Sequence, residues 1–474
     1  MLKIIYKRHL SFGIFFKNKK KCYICRRFPY KHILMKKKMT HLKSLRIIAT
    51  LSLCLFYMTA NAQEGSWKGE LDLGGMKLPL VFNFSADGCT IDSPAQGAKG
   101  IKAEKTVDAD GTISVTVGAI GAAFNGKMEG EEIRGSFTQG GMSLPLTLKR
   151  GKVETRRPQT PQPPFAYKTE EVTFSNAGFT FNGTLTVPEK TTRDTPVVVM
   201  VTGSGQQNRD EELFLHKPFA VIADALARHG IATLRYDDRG YGDKSVRFAD
   251  FTTEDFKKDA EAAMTVVRGR FGKTGVLGHS EGGTIALMMA AEGKADFVVS
   301  MAGMVMPGSE TLLMQNRDGL KKAGVSDEMT EAYCKALGEA FKNIAEGKTV
   351  GTECAAQVPP QLRQMFDKAV KQCETPFFRC FVALDIRTSL KNVRCPVLAI
   401  NGKRDTQVDC QTNLEALRQG LTGCRPCIKE YDNLNHLFQH CTTGDFREYQ
   451  QIEETIAPEV LETMAKWINE TTKP

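Results

Sequence analysis

The sequence of 474 residues predicts an α/β fold with a mostly parallel central sheet, preceded by a small all-β domain. From about residue 168 onward, short unbroken apolar segments alternate with helical segments. This pattern is typical of parallel strands that helices cover on both faces. Residues 65–150 instead alternate apolar and polar side chains between glycine-rich turns, which is typical of antiparallel strands. A chain of this length is expected to form two or three domains.

The first 62 residues predict a targeting segment. They contain fifteen Lys and Arg residues and no Asp or Glu. After Met39, a basic region precedes an apolar run at residues 47–58 and the small-x-small sequence Ala60-Asn61-Ala62. This order is typical of a secretory signal peptide. We therefore expect cleavage after Ala62, an exported protein (periplasmic or secreted) and no stable membrane span after cleavage. The residues before Met39 are interpreted as an over-extended start, and the apolar run is short for an uncleaved anchor.

The basic charge of the chain resides in this leader. The formal net charge is +10, but removing fifteen leader cations from 64 basic residues leaves 49 against 54 acidic residues, about −5. A nucleic-acid-binding domain would show a basic patch or stripe. We therefore expect no nucleic-acid partner.

Ten of the thirteen cysteines follow the leader. An exported protein can form disulfides, so pairing is open, with Cys424 and Cys427 among the possible partners. Their CxxC spacing lacks the second pair that a zinc site would need, and it precedes a strand rather than a helix. We expect no metal and no organic cofactor.

A small β-rich domain is predicted over residues 63–152. The sequence GGMKLPL at residues 74–80 recurs as GGMSLPL at residues 140–146. The repeat indicates equivalent hairpins at the two ends of one antiparallel barrel or sandwich. Residues 153–168 contain four prolines among polar residues, which predicts a semi-extended linker.

Residues 169–474 predict the α/β domain. An antiparallel pair opens it, and alternating strands and helices follow. The predicted strands lie at residues 197–201, 231–236, 275–277, 297–301 and 397–400, and the predicted helices at 217–229, 253–268, 282–292 and 458–469. Residues 304–392 interrupt this rhythm with amphipathic helical segments, which predicts a helical cap inserted between two strands of the sheet.

One serine lies where chemistry is expected. The sequence Gly278-His279-Ser280-Glu281-Gly282 joins a predicted strand to a predicted helix. In a G-x-S-x-G turn the serine takes a strained backbone conformation, which requires flanking residues without side chains. Its hydroxyl then projects near the positive end of the helix, where an oxyanion is stabilised.

An acid and a base follow this serine in the chain. Hydrolases with a serine on such a turn place an Asp or Glu and then a His further along the sequence. His436 follows a predicted strand in a loop and is preferred as the base over His440. Asp405, just after the strand at 397–400, is preferred as the acid over Asp409 and Asp432.

Two backbone N–H groups are expected to stabilise the oxyanion. One belongs to Glu281, the residue after the serine. The other belongs to Ser204 or Gly205, in the glycine-containing loop after the strand at 197–201. A dinucleotide site is disfavoured there, because the third glycine and the ribose-binding acid are missing. His279 is interpreted as packing support.

A further cluster follows the strand at 231–236. It reads Tyr236-Asp237-Asp238-Arg239-Gly240 and predicts a rigid loop beside the site. Asp238 and Arg239 are interpreted as structural residues.

Together these segments resemble bacterial serine hydrolases of the α/β-hydrolase fold, in the branch of esterases and serine aminopeptidases. The resemblance covers residues 168–470 and excludes the β-rich domain. It implies that Ser280, Asp405 and His436 form a catalytic triad acting through an acyl-enzyme. One departure is QQNR at residues 206–209, where relatives usually carry a proline and an acidic residue.

The resulting hypothesis is an exported serine esterase that cleaves small-molecule carboxylic esters. Phe377 and Phe378, near the end of the predicted cap, would suit a small or medium acyl group. The alternatives are a peptidase acting on short peptides or acyl-amino acids, and a non-catalytic binding protein that works through its β-domain.

Overall fold

The computed structural model describes residues 64–73, 77–85, 88–96, 98–152 and 156–473. The predicted signal peptide and the residues before it lie outside the described residues. So do Gly74 and Gly75, which belong to the first copy of the repeated sequence.

Eight strands close into a barrel in chain order. The first strand pairs with the eighth, which removes the free edges of the sheet. The two repeated sequences begin the second strands of the hairpins β1–β2 and β7–β8. The strands are β1 (Gly65–Asp72), β2 (Lys77–Ser85), β3 (Gly88–Ser93), β4 (Ala98–Val107), β5 (Thr112–Val117), β6 (Ala122–Glu129), β7 (Glu132–Gln139) and β8 (Met142–Arg150).

A second, eight-stranded sheet forms the α/β domain, in the order β16-β15-β14-β13-β11-β12-β10-β9. β9 and β10 are antiparallel to each other, and the strands from β11 to β16 run parallel. The strands are β9 (Tyr167–Asn176), β10 (Phe179–Pro188), β11 (Val197–Val201), β12 (Ala232–Tyr236), β13 (Thr274–His279), β14 (Phe297–Met301), β15 (Val397–Gly402) and β16 (Cys427–Tyr431). This topology confirms the predicted fold class.

Helices cover both faces of this sheet. They are α1 (Pro218–Arg228), α2 (Thr253–Val267), α3 (Glu281–Ala291), α9 (Cys410–Gly420) and α10 (Pro458–Thr472). Side chains of β11 alternate between the faces. Val197 and Val199 pack in the cluster of α2 and α3, whereas Val198 and Met200 pack in the cluster of α1 and α10. Burial on both faces explains why these strands are unbroken apolar runs.

The helices between β14 and β15 form a cap with its own apolar core. They are α4 (Gly308–Lys322), α5 (Asp327–Ala345), α6 (Thr352–Ala356), α7 (Arg363–Gln372) and α8 (Pro376–Ala383). Tyr333 and Phe366 are buried in this core with ring centroids 6.4 Å apart. The apolar core of the cap is therefore distinct from the two clusters that cover the faces of the sheet.

All ten cysteines after the leader are free thiols. Cys424 packs against the core of the sheet, whereas Cys427 is exposed at the start of β16. The two side chains therefore have different surroundings, and the disulfide considered from their spacing is not formed.

Candidate active site

Ser280 lies in the turn between β13 and α3, at the carboxyl edge of the sheet. Its backbone has φ 54° and ψ −120°, a strained conformation for a residue with a side chain. A Cβ at Gly278 would collide with the carbonyl of Gly282, and a Cβ at Gly282 would collide with the carbonyl of Val201. The two glycines therefore permit the sharp turn. α3 begins at Glu281, one residue earlier than predicted.

Asp405 and His436 form a buried pair. Nδ1 of His436 donates to Oδ2 of Asp405 across 2.7 Å. The other carboxylate oxygen accepts the backbone N–H groups of Gln407 and Val408 at 2.8 and 2.9 Å. The carboxylate is thus held by its own loop and places the proton of a neutral His436 on Nδ1. Nε2 then remains able to accept a proton.

The competing acids and the competing histidine have other partners. Asp409 is the N-cap of α9. Asp432 forms an ion pair with Lys403 at 2.8 Å. His440 is exposed and contacts Glu454 at 2.9 Å. Each therefore has a local structural partner, whereas Asp405 and His436 contact each other.

Ser280 and His436 line the same cavity, which has a volume of about 660 Å³. One part of its wall is apolar and comes mainly from the cap and the segment before α2. These residues are Phe248, Met304, Leu312, Phe377, Phe378, Phe381 and Val408. The other part is polar and includes the loop after β11. The serine therefore opens onto a space large enough for a small organic substrate.

The predicted oxyanion donors line this cavity. The N–H of Gly203 is occupied, because it donates to Oε1 of Glu211 at 2.7 Å. Within the described residues, the N–H groups of Ser204, Gly205 and Glu281 have no protein acceptor. These three groups therefore remain available to a substrate oxygen.

A side-chain hydrogen bond connects Ser204 and Glu281, which carry two of these N–H donors. Oγ of Ser204 donates to Oε2 of Glu281 at 2.7 Å, and Thr253 donates to Oε1 at 2.6 Å. Burial raises the pKa of the Glu281 carboxyl, and these two hydrogen bonds oppose that rise. The Glu281 side chain thus connects the loop after β11 to the turn that carries Ser280.

Asp238 stabilises the loop after β11. This contact agrees with the interpretation of Asp238 as a structural residue. Its carboxylate accepts from Oγ1 of Thr202 at 2.9 Å and from the N–H of Gln207 at 2.7 Å. Arg239 is buried and makes two hydrogen bonds to Asp259, at 2.7 and 2.8 Å. The loop that departs from the family pattern is therefore anchored by a neighbouring carboxylate.

Glu211 and His279 have contacts that the sequence does not reveal. Nδ1 of His279 lies 3.0 Å from Oε1 of Glu211, and Nε2 lies 2.9 Å from the carbonyl of His436. The same Glu211 oxygen accepts the N–H of Gly203. One buried carboxylate and one imidazole thus connect the oxyanion loop, the Ser280 turn and the base loop. Glu211 lies in the acidic run 210–212, and nothing in the sequence separates it from its neighbours.

The contacts of His279 favour its protonated form. Burial alone lowers the pKa of a histidine, but the carboxylate of Glu211 and the carbonyl of His436 act in the opposite direction. The net direction is a raised pKa. Since both ring nitrogens face acceptors, only the imidazolium can donate to both at once.

Across the described residues, no group of three or more His, Cys, Asp or Glu side chains is arranged to hold a metal ion. Of the helices in this part of the chain, none combines the length and the apolar character that a bilayer crossing requires.

Residues 217–440 match the family described as serine aminopeptidase, S33. The chain is also 28% identical over 293 residues to the esterase EstD of Thermotoga maritima. That alignment covers 60% of this chain and 65% of the EstD sequence.

Two solved structures illustrate the structural similarity. Est1E from Butyrivibrio proteoclasticus is 14% identical with a TM-score of 0.38, over 64% of this chain and 98% of its own. Proline iminopeptidase from Mycobacterium smegmatis is 18% identical with a TM-score of 0.39, over 64% of this chain and 99% of its own.

Replacing the paired histidine should abolish acylation. In His436→Ala, no base remains to accept the Ser280 proton, so we expect labelling by a fluorophosphonate probe to fall by a factor on the order of 10³ or more. The matched control is His440→Ala, whose side chain contacts only surface carboxylates. Equal labelling of the two variants would contradict the assignment of His436.

Glu211→Gln should lower kcat while it keeps a side chain of nearly the same shape at position 211. The amide can still accept a hydrogen bond, but it lacks the charge that keeps His279 protonated. One of the two His279 hydrogen bonds should then be lost at neutral pH, and we expect kcat to fall about tenfold.

The matched control is Glu212→Gln, which removes the neighbouring carboxylate that pairs with Lys217 at 3.5 Å. Steady-state kinetics and thermal unfolding should be measured for both variants. If Glu211→Gln and Glu212→Gln have the same kcat, the pair formed by Glu211 and His279 does not position the residues of the site.

Proposed function

We propose that the protein, whose residues 217–440 match the serine aminopeptidase, S33 family, is an esterase of the acyl-enzyme type. The observation that carries this proposal is the common cavity of Ser280 and His436. N–H groups without a protein acceptor line the same cavity, and Asp405 accepts a hydrogen bond from Nδ1 of the His436 ring.

In the proposed reaction, Oγ of Ser280 attacks the ester carbonyl while Nε2 of His436 accepts its proton. Asp405 stabilises the imidazolium that forms. The N–H of Glu281, together with that of Ser204 or Gly205, donates to the developing oxyanion. The imidazolium then protonates the leaving alkoxide, and a water molecule activated by His436 hydrolyses the acyl-serine.

We infer a small or medium apolar acyl group from the cap side of the cavity. Phe248 and Phe377 lie 4.3 Å apart between ring centroids, and Phe377 and Phe378 lie 5.0 Å apart. Aromatic side chains packed in this way offer an apolar surface and few hydrogen-bond partners. This environment favours hydrocarbon over charged substituents.

The peptidase alternative meets an electrostatic difficulty. An aminopeptidase needs a carboxylate that can receive the substrate ammonium group. Three carboxylates line the cavity, and each already has a partner. Glu211 holds His279 and Gly203, Glu281 holds Ser204 and Thr253, and Glu212 lies 3.5 Å from Lys217. Neutral ester substrates are therefore favoured over free peptides.

Ester turnover should exceed anilide turnover. We expect p-nitrophenyl acetate and butyrate to be hydrolysed with higher kcat/KM than aminoacyl-nitroanilides, because the cavity has an apolar wall and the carboxylates among its described lining residues already have partners. The control is Ser280→Ala, which should be inactive and should not be labelled by a fluorophosphonate. Faster anilide turnover would favour the peptidase, and unlabelled wild-type protein would favour a binding protein.

We also propose that the protein is exported. The support is the basic, apolar and small-x-small order of residues 39–62. Expressed in a bacterial host from Met39, the mature protein should begin at Gln63, which N-terminal sequencing of the periplasmic fraction would reveal. Intact protein confined to the cytoplasm would contradict this proposal.

A further inference from the structure

The segment between the barrel and the α/β domain is attached to the wall of the active-site cavity. The sequence predicts a semi-extended linker at residues 153–168; of these, residues 156–166 form neither helix nor strand, and β9 begins at Tyr167. Two of its side chains nevertheless make several hydrogen bonds each to backbone groups far along the chain. We call residues 156–160 the strap.

Arg157 is the main contact of the strap. Its guanidinium donates to the carbonyl of Phe214 from Nε at 3.2 Å and from Nη2 at 2.8 Å. It also donates to the carbonyls of Gln450 and Ile452 at 2.9 and 3.0 Å. Arg157 is therefore held by backbone carbonyls, and burial lowers its pKa to about 10, so it remains charged at neutral pH.

Gln159 makes a second attachment. Its Nε2 donates to the carbonyl of Ile456 at 2.7 Å, and its Oε1 accepts the N–H groups of Thr455 and Ile456 at 2.5 and 3.1 Å. The amide of Gln159 thus pairs with the backbone as a neighbouring strand would. The strap therefore joins residues 450–456 to the carbonyl of Phe214.

The loop held by Arg157 is strained and lines the cavity. Glu211, Phe214 and Leu215 have φ values of 53°, 51° and 65°, which are unusual for residues other than glycine. Leu213, between them, lines the cavity beside Ser280 although it is 40% exposed. Such conformations are unfavourable for residues other than glycine and persist only where the surroundings hold them.

The same loop leads directly to the catalytic apparatus. Glu211, three residues before Phe214, binds the N–H of Gly203 and the ring of His279. Displacing the Phe214 carbonyl would therefore alter the cavity wall at Leu213 and the position of Glu211 together. On the far side of the loop, buried His216 bonds to Thr455 and to the carbonyl of Tyr449.

We propose that Arg157 is a positioning residue that holds the loop 211–216 in its strained, substrate-binding conformation. It touches neither the substrate nor the reacting atoms and acts through the carbonyl of Phe214. The segment that tethers the barrel therefore also shapes the active site. This inference rests on the proposed esterase function for its kinetic test, but not for its structural test.

The kinetic test compares full-length variants on esters of two sizes. Arg157→Ala should raise KM for p-nitrophenyl butyrate on the order of tenfold, because the two charge-assisted hydrogen bonds to the Phe214 carbonyl are lost. KM for the acetate, which reaches less of the cavity wall, should rise less. Arg157→Lys keeps the charge but not the planar fork, so it should restore part of the loss.

The matched control is Arg156→Ala, which removes the neighbouring exposed arginine, 3.9 Å from Glu453. Its kinetics should equal those of the wild type. If Arg157→Ala does not fold, Arg157→Lys tests the proposal with the same direction and a smaller effect. A loss that only follows the folded fraction, with unchanged KM for both esters, would overturn the proposal.

The structural test is hydrogen exchange of the amides at residues 211–216, which needs no activity. Exchange there should be at least severalfold faster in Arg157→Ala than in Arg156→Ala, while the amides of β13 remain unchanged. Equal exchange in the two variants would refute the role of the strap. Absent ester turnover by the wild type would refute the proposed function and leave this measurement interpretable.

Discussion

The arrangement of the active site depends on one buried contact, the pair formed by His279 and Glu211. The imidazole belongs to the residue before Ser280, and its two nitrogens reach a carboxylate on one side and the carbonyl of His436 on the other. The carboxylate also binds the N–H of Gly203. Loops that follow three different strands are therefore fixed relative to one another by a single ring.

This contact explains how His436 is held without being blocked. Asp405 binds Nδ1 of its ring, and His279 binds its backbone carbonyl. The His436 ring is thus oriented through Nδ1, and its main chain is oriented through the carbonyl oxygen. Nε2 of the ring remains free to exchange protons. Buried charged groups are costly to leave unpaired, and the contact with Glu211 favours the protonated form of His279 beside Ser280.

The residues that sequence analysis could predict are those constrained locally. Ser280 stands out because the turn excludes side chains at Gly278 and Gly282, and that exclusion is visible as G-x-S-x-G. Asp405 and His436 follow from their positions after strands, since the carboxyl ends of parallel strands meet at one edge of the sheet. The fold class follows likewise from unbroken apolar strands separated by helices.

The residues that escaped prediction act across long separations in the chain. Glu211 lies 68 positions from His279, and Arg157 lies 57 positions from Phe214 and almost 300 from Gln450. Neither has a neighbouring motif that distinguishes it from solvent-facing charges. The prolines near Arg157 indicate an extended segment, but they do not reveal that the segment is attached. Only the folded chain shows which carbonyls it reaches.

The loop 211–216 shows why such attachment is needed. Glycine at position 211 would relieve the left-handed backbone, but it would remove the carboxylate that holds His279 and Gly203. Glu211 therefore keeps an unfavourable backbone conformation because the site requires its side chain. Phe214 and Leu215 add strain of the same kind, with φ values of 51° and 65°. Two backbone hydrogen bonds between Leu213 and His216, at 3.1 and 2.9 Å, close this turn, and the strap adds a restraint from outside the loop. Arg157 supplies that restraint through the Phe214 carbonyl, and so it connects the geometry of the cavity wall to a segment outside the α/β sheet.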